Sequence, residues 1–484
     1  MITAHEIKEI LNIGIEITTE KNKNRLLEKM LDKAMEIAGC DAGTLYVLKD
    51  GCLHFKIMKT LSMGVDRGGG EEEIDLPPVP LKEENVCAYS AIHREMINVP
   101  DVYSGEKFDF SGPRKYDAMT GYHTKSMLVI PMEDAEEKVI GVLQLINKLD
   151  AENRIISFDG EDAFVLRSLG SMAAVSLSNM IYLEELKLQM QSFVQAFATA
   201  IDKRTPYNGS HTRKVTEYAI LVAKRLNELY ECGKGGEPFD AVRIEQLSLA
   251  AGLHDIGKMI VPLSIMNKST RLDGLYQDIE KRFAYLRLLY ERDLLRGDLS
   301  QSAYEDLVLE LERDQKRIAL ADTAGFLSDE LLAEIEDVAA HYYCDKNGVR
   351  IPYLTEEELV CLRIRKGTLT ADERGVMENH VRMTSEILKQ VYLTDSYKDA
   401  LRFAGEHHEF LDGSGYPNHL QGEELSCESR ILTVVDIFDA LTCTDRPYKK
   451  PIQQERAISI LKEMVTEGKL DGTIVSALED VTRA

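Results

Sequence analysis

Histidines and carboxylates in the second half of the chain stand at spacings that can do chemistry. His254 and Asp255 adjoin, and Lys258 follows three residues on. His407 and His408 adjoin, His380 and Asp436 stand alone on helical segments, and His211 opens a helix after the turn 205–210. Imidazoles and carboxylates are the ligand set for iron, manganese or zinc. Neighbouring residues on a helix diverge by about 100°, so an adjacent pair can serve two ions or enclose one. A lone histidine is ordinarily a surface or satisfied core residue. Two adjacent pairs plus Asp436 in one helical half point instead to metal. Two cations held close together can lower the pKa of a water between them, which gives hydroxide at neutral pH. Lys258 is one helical turn from Asp255 and lies on the same side of the helix, where it can stabilise developing charge.

Composition limits what else the chain can be. It has 484 residues, with 58 basic against 82 acidic side chains and a net charge of −24. A chain this acidic has no overall field for a phosphate backbone, so no DNA or RNA partner is expected. Any phosphate chemistry needs local cations. The length predicts about three units, or two with a large insertion. No run of about 18 apolar residues is present, so no membrane span is predicted. Residues 1–20 lack the uninterrupted apolar core of a signal peptide. Eight scattered cysteines without a Cys-x-x-Cys pair then read as reduced thiols, and the expected location is cytoplasmic.

The elements that must carry these residues fall into two kinds. Residues 1–20 and 26–37 have helical periodicity. Thr44–Leu48 and Leu53–Met58 read as strands joined by the hairpin turn Asp50-Gly51, and Ser126–Pro131 and Val139–Ile146 as two more. Residues 64–80 have Gly, Glu and Pro but no period and read as a loop; Gly68-Gly69-Gly70 lacks P-loop spacing. Strands without βαβ alternation, with helices at both ends, predict an α+β sensor domain. The run Ile140 to Lys148, followed by Phe158 and Asp162, resembles the Asn-Lys…Phe-x-x-x-Asp-Glu signature of GAF domains over residues 20–178, with Ala163 in place of the final Glu. The resemblance implies that Lys148 and Asp162 pair structurally near a buried pocket for a small molecule of unknown identity. Cyclic-nucleotide binding is not inferred.

Leu183, Leu186, Met190, Phe193, Phe197 and Ala200 repeat at coiled-coil spacing, which predicts a linker helix over 180–201 and a parallel homodimer seam. The remainder reads as all-α. Residues 273–368 are acidic helices with no chemical motif.

The ordered motifs of this half closely resemble the HD-GYP family. They are Leu253-His254-Asp255-Ile256-Gly257-Lys258, then His407-His408-Glu409-Phe410-Leu411-Asp412-Gly413-Ser414-Gly415-Tyr416-Pro417, then the helix through Asp436 to Leu441 and Asp445-Arg446-Pro447-Tyr448. The likeness covers about 190–272 and 365–470. It implies a metal-dependent phosphodiesterase that opens cyclic di-GMP to pGpG and/or GMP, with a cyclic GMP-AMP hydrolase or a non-catalytic signalling adaptor as alternatives. It implies two divalent transition metals per chain, iron or manganese, held by His211, His254, Asp255, His380, His407, His408 and Asp436. Asp255 would bridge them and, with Lys258, carry the catalysis. Lys258, Gly415, Tyr416, Pro417, Arg446 and Lys449 would contact substrate. Some members carry a Glu four residues before the first ligand, for a third metal; Tyr207 stands there, so two are expected. Lys268–Leu272 and Arg365–Thr370 resemble two pieces of one split motif, so the residues between are an insertion, which either gates the site or decorates the domain. The expected organisation is a GAF-type sensor over 1–178 with its N-terminal helix, a coiled-coil linker over 179–202, and an HD-GYP domain over 203–484 containing the 273–368 insertion. The GAF domain would regulate hydrolysis through the linker.

Overall fold

The structure, a computed structural model, describes residues 4–69, 74–104, 107–204, 209–235, 237–344, 347–395, 397–443 and 452–483. The chain divides into two compact units, 1–189 and 190–484.

The first unit is built on an antiparallel sheet. Its central path runs Val65–Gly68, Cys52–Thr60, Cys40–Lys49, Val139–Leu149, Met127–Glu133 and Ile97–Val99. Cys40–Lys49 and Cys52–Thr60 form the hairpin, with Lys49 opposite Cys52. Side chains alternate between the two faces, as the strand repeat requires. Leu45, Leu143 and Leu145 pack with Leu26, Met30, Leu31 and Leu166 of the helices Lys23–Ala38 and Gly160–Arg204. Tyr46, Val129 and Val142 face the other way, onto Val86, Cys87 and Ala91 of helix Val86–His93. This is the expected α+β fold. Part of the stretch read as loop is strand: Val65–Gly68 pairs with Ile57–Thr60 and extends the sheet. Edge pairing is backbone chemistry, which needs no apolar alternation, so the sequence pattern does not report it. Lys148 Nζ pairs with Asp159 Oδ2 at 2.8 Å; the Asp162 side chain lies outside the described residues.

Helix Gly160–Arg204 is one continuous element. Early in it, Leu166, Leu169, Ala173 and Leu177 belong to the sensor core. At its end Ile201 joins the core of the second unit, with Val194 packed against it. Leu183, Leu186, Phe193 and Phe197 of the expected seam are 67, 60, 65 and 50% exposed. An 18-residue window of this helix has mean hydropathy 1.3, so by length and composition alone it could cross a membrane. This corrects the expectation that no stretch qualifies. Core-facing residues and the exposed stripe together raise the average, and 39% of the window is buried.

Among the described residues the second unit is helical, with a short ladder of Tyr342–Cys344 on Arg350–Pro352. One core holds Val222, Leu226, Leu247, Ile431, Val435, Phe438, Leu461 and Leu478. These come from helices His211–Glu231, Ala241–Leu253, Cys427–Thr442, Gln454–Thr466 and Gly472–Arg483. A separate core of Leu272, Phe283, Leu286, Ile318, Ile335, Tyr353 and Leu362 fills the stretch expected as an insertion. Its two ends meet. Arg271, 1% exposed, donates from Nε to Ile364 O and from Nη1 to Ala321 O, both at 2.8 Å. Thr368 Oγ1 donates to Lys268 O at 3.1 Å. Lys268 Nζ then reaches Glu373 at 2.8 Å. Glu373 completes the capping box of helix Ala371–Leu388 with Thr370, a cap that satisfies the first free amides of a helix. The stretch 273–368 thus returns the chain directly to the helix that bears His380.

None of the eight cysteines forms a disulfide among the described residues.

Candidate metal centre

Five local structures bring the ligands together. His211 is the first residue of helix His211–Glu231. His254 caps the C-terminal end of Ala241–Leu253, and the one-turn 3-10 helix Ile256–Met259 follows Asp255 and carries Lys258. His380 is mid-helix in Ala371–Leu388, His407 and His408 follow Asp399–Ala404, and Asp436 lies within Cys427–Thr442.

The turn after Asp255 packs tightly on the His380 helix. A Cβ at Gly257 would lie 1.9 Å from His380 O and 2.6 Å from Thr384 N, so only glycine fits. Thr384 Oγ1 accepts from Gly257 N at 3.0 Å and donates to His254 O at 2.9 Å. Arg204, on the preceding long helix, donates to Lys258 O at 2.5 Å and Val261 O at 2.8 Å.

Two ligand clusters share one carboxylate. Asp255 Oδ2 lies 3.4 Å from His211 Nε2 and 3.5 Å from His254 Nε2. Asp436 Oδ1 lies 3.3 and 3.8 Å from the same two nitrogens. The other oxygen, Asp255 Oδ1, lies 3.5 Å from His380 Nε2 and 3.9 Å from His407 Nε2. His408 completes the second cluster with His380 and His407, and its Nδ1 lies 3.8 Å from Asp436 Oδ2. All seven expected ligands therefore face a common centre.

Hydrogen bonding around the centre fixes the rings. Nδ1 of His254, His380 and His407 donates to the carbonyls of Ala251, Met377 and Ala404, at 2.7, 2.6 and 2.7 Å. A carbonyl only accepts, so Nδ1 carries the proton and Nε2 keeps its lone pair. His211 Nδ1 lies 2.7 Å from Asp439 Oδ2. The Nε2 atoms of all four rings, and Asp255 Oδ1, are buried without hydrogen bonds. Buried polar atoms left unpaired are costly. Five of them aimed at one point, in the N/O set of a transition metal, fit divalent cations.

Charge balance agrees. Burial pushes His380 down to about 4, with the Lys258 ammonium adding to the shift. Burial likewise holds His407 well below its ordinary value, so these rings are neutral and able to ligate at neutral pH. Burial disfavours charge on His211, yet Asp255, Asp436 and Asp439 outweigh it; the same negative surroundings favour a cation at its Nε2, a proton or a metal ion alike. Burial would raise Asp255, but Lys258 and the histidines hold it well below the usual carboxylate range. Asp436 is held ionised in the same way, by His211 and His254.

The remaining expected residues divide. Lys258 Nζ sits 2.5 Å from Asp255 Oδ2, so in this structure it is the counter-ion of the shared carboxylate. Gly415, Tyr416 and Pro417 form a loop at the centre. Tyr416 N donates to His408 O at 3.1 Å, its ring lies 4.9 Å from that of His408, and the Tyr416–Pro417 bond is cis. A Cβ at Gly415 would lie 2.4 Å from Phe410 N, so the loop folds back closely on the motif. Arg446, Lys449 and Tyr207 lie outside the described residues.

Several functional neighbours were not picked out from sequence: Asp439 on His211; Glu409, which accepts from Asn418 N at 2.6 Å and Leu420 N at 3.1 Å and holds the loop; Thr384; and Arg204. Two of them had a sequence signal: Glu409 stands within the motif that begins at His407, and Asp439 stands three residues after Asp436, hence on the same side of the helix.

Similarity to known proteins agrees with this architecture. Residues 22–177 match the GAF domain family and residues 348–474 match the HD domain family. The chain is therefore a GAF domain followed by a helical HD domain. The HD match contains His380, His407, His408 and Asp436; His211, His254 and Asp255 precede it. Over 99 residues (20% of this chain, 21% of the relative) it is 39% identical to a 3'3'-cGAMP-specific phosphodiesterase of Vibrio cholerae. Over 98 residues (20% of this chain, 25% of the relative) it is 42% identical to the cyclic di-GMP phosphodiesterase response regulator RpfG of Xanthomonas campestris. The matched stretch thus spans about a quarter or less of these relatives. The GAF domain of an Acinetobacter phosphoenolpyruvate-protein phosphotransferase aligns with 37% of this chain and 95% of its own, at 16% identity and a TM-score of 0.28.

Proposed function

We propose that the chain is a phosphodiesterase that hydrolyses cyclic di-GMP to pGpG and/or GMP at a centre of two divalent transition metals, iron or manganese. The observation that carries this reading is the shared carboxylate: Asp255 turns one oxygen to His211 and His254 and the other to His380 and His407. Two bound cations would supply Lewis acidity and lower the pKa of a water between them. The chain's own residues do the rest. His211, His254 and Asp436 hold one position, and His380, His407 and His408 the other. Lys258, three residues past Asp255 on a one-turn helix, turns its ammonium to phosphate charge as it develops. Gly415-Tyr416-Pro417 borders the substrate, and Arg446 and Lys449 reach its second phosphate or a guanine. The sensor domain regulates turnover through helix Gly160–Arg204, whose exposed Leu183, Leu186, Phe193 and Phe197 pair with those of a second copy. A small molecule is the sensor's ligand, and the enzyme works in the cytoplasm.

A second reading keeps the reaction and changes the substrate to 3'3'-cGAMP; the 39% identity to a phosphodiesterase named for that dinucleotide favours it. The deciding experiment is hydrolysis of both dinucleotides by protein purified without air, with metal content determined on the same sample. The proposal expects about two metals per chain and conversion of cyclic di-GMP, both lost in Asp255→Ala. Faster conversion of cGAMP would establish the second reading. Neither metal nor turnover after reconstitution with iron or manganese would overturn both and leave a non-catalytic adaptor.

A further inference from the structure

The two cation positions of the proposed centre are built from unequal charge. The first is served by Asp436 Oδ1, Asp255 Oδ2 and two imidazoles, while Asp436 Oδ2 lies 3.8 Å from His408 Nδ1. The second receives three imidazoles and the other oxygen of Asp255. The imidazoles themselves are also held differently. His254, His380 and His407 each bond the carbonyl three residues upstream through Nδ1. That device needs a preceding helical turn, and His211 has none because it begins its helix. Its Nδ1 meets a carboxylate instead: Asp439 Oδ2, at 2.7 Å, with side chains 6 and 2% exposed. A carbonyl orients a ring, whereas a carboxylate also makes its far nitrogen a stronger donor. Asp439 reaches this place because it lies one turn beyond Asp436 on helix Cys427–Thr442. One helix face therefore delivers a ligand and the support of a second ligand to the same position.

We infer that Asp439 is a positioning residue that fixes the ring and tautomer of His211 and makes the His211–His254–Asp436 position the tighter of the two. The inference rests on the dinuclear reading above. Attraction of a dication grows with the negative charge around it, most of all where water is excluded. The first position therefore fills at lower cation concentration, and the second follows.

Calorimetric titration of the metal-stripped full-length chain with Mn2+, followed in parallel by electron paramagnetic resonance, tests this. The wild type is expected to show two binding steps of unequal affinity. His380→Ala removes the weaker step. Asp439→Ala weakens the tighter step about 10- to 100-fold and leaves the other within about twofold. Asp439→Asn keeps an acceptor oxygen but not the charge, so it falls between. Circular dichroism of the stripped variants checks the fold, and if the alanine variant does not fold the asparagine variant decides. Two unchanged steps in the Asp439 variants, or weakening of the step that His380→Ala removes, would overturn the inference and leave the dinuclear reading standing. A wild type that takes up fewer than two ions would overturn the dinuclear reading itself.

Discussion

Asp255 Oδ1 and His380 Nε2 stand 3.5 Å apart, although the whole stretch 273–368 lies between these residues in sequence. That one carboxylate is common to both ligand clusters. Asp255→Asn would leave each cluster with one fewer anionic donor. The expected result is loss of both metals, at least about 100-fold in affinity, with a folded chain. Metal analysis and circular dichroism on one sample check it, and two retained ions would refute the bridging role.

Lys258 is expected to act on charge rather than on assembly. Lys258→Ala should lower kcat by about 100-fold or more and leave metal content at two per chain. An unchanged kcat in single-turnover assays would remove Lys258 from the reaction.

Gly257 is a packing prediction. The Cβ of Gly257→Ala would lie 1.9 Å from His380 O, and backbone cannot step aside as a side chain can. The HD turn and the His380 helix must separate, at a cost of about 3 kcal/mol. The predicted signature is a lower unfolding temperature together with reduced metal content. A variant with wild-type values for both would show that the two elements are less tightly packed than described.

The pair Lys268–Glu373 ties the segment before residue 273 to the His380 helix and gives a pH prediction. Burial would raise the carboxyl of Glu373, but Lys268 and the Thr370 amide bring it below its ordinary 4.5. A depressed carboxylate contributes stability above its unfolded pKa, and that contribution is lost as pH falls through the folded value. Lys268→Met should therefore destabilise the chain at pH 7, and the gap from wild type should close below about pH 4.5. Thermal unfolding at a series of pH values measures it. A gap independent of pH would mean the effect is packing alone.

The exposed stripe of helix Gly160–Arg204 predicts a dimer. The double variant Leu186→Glu and Phe193→Glu places like charges along the seam and should yield monomers in sedimentation equilibrium. A wild type already monomeric at micromolar concentration would dispose of the seam.

Much of this was legible in the order of the residues. Ligands of a metal centre are chemically scarce types, so His254-Asp255, His407-His408 and Asp436 stand out wherever the chain later puts them. Strands such as Cys40–Lys49 and Val139–Leu149 announce themselves because both faces of each are buried, so they read as apolar runs. What these signals share is local cause: a residue type or a repeat set by the chain's nearest neighbours. The edge strand Val65–Gly68 had no such cause, since its pairing is made by backbone alone.

The tertiary structure decided how the ligands are divided and supported. Sequence names seven ligands and expects Asp255 to bridge; only packing shows which histidines each of its oxygens meets, and that His211 leans on Asp439 while His254, His380 and His407 lean on carbonyls. Only packing shows that Arg271 and Lys268 bring the two ends of the stretch 273–368 together so that His380 returns to the HD turn. These are contacts between residues far apart along the chain, and their distances are set by how helices seat on a common core. A linear pattern holds the identity of each side chain but not the direction in which it points once the core has formed.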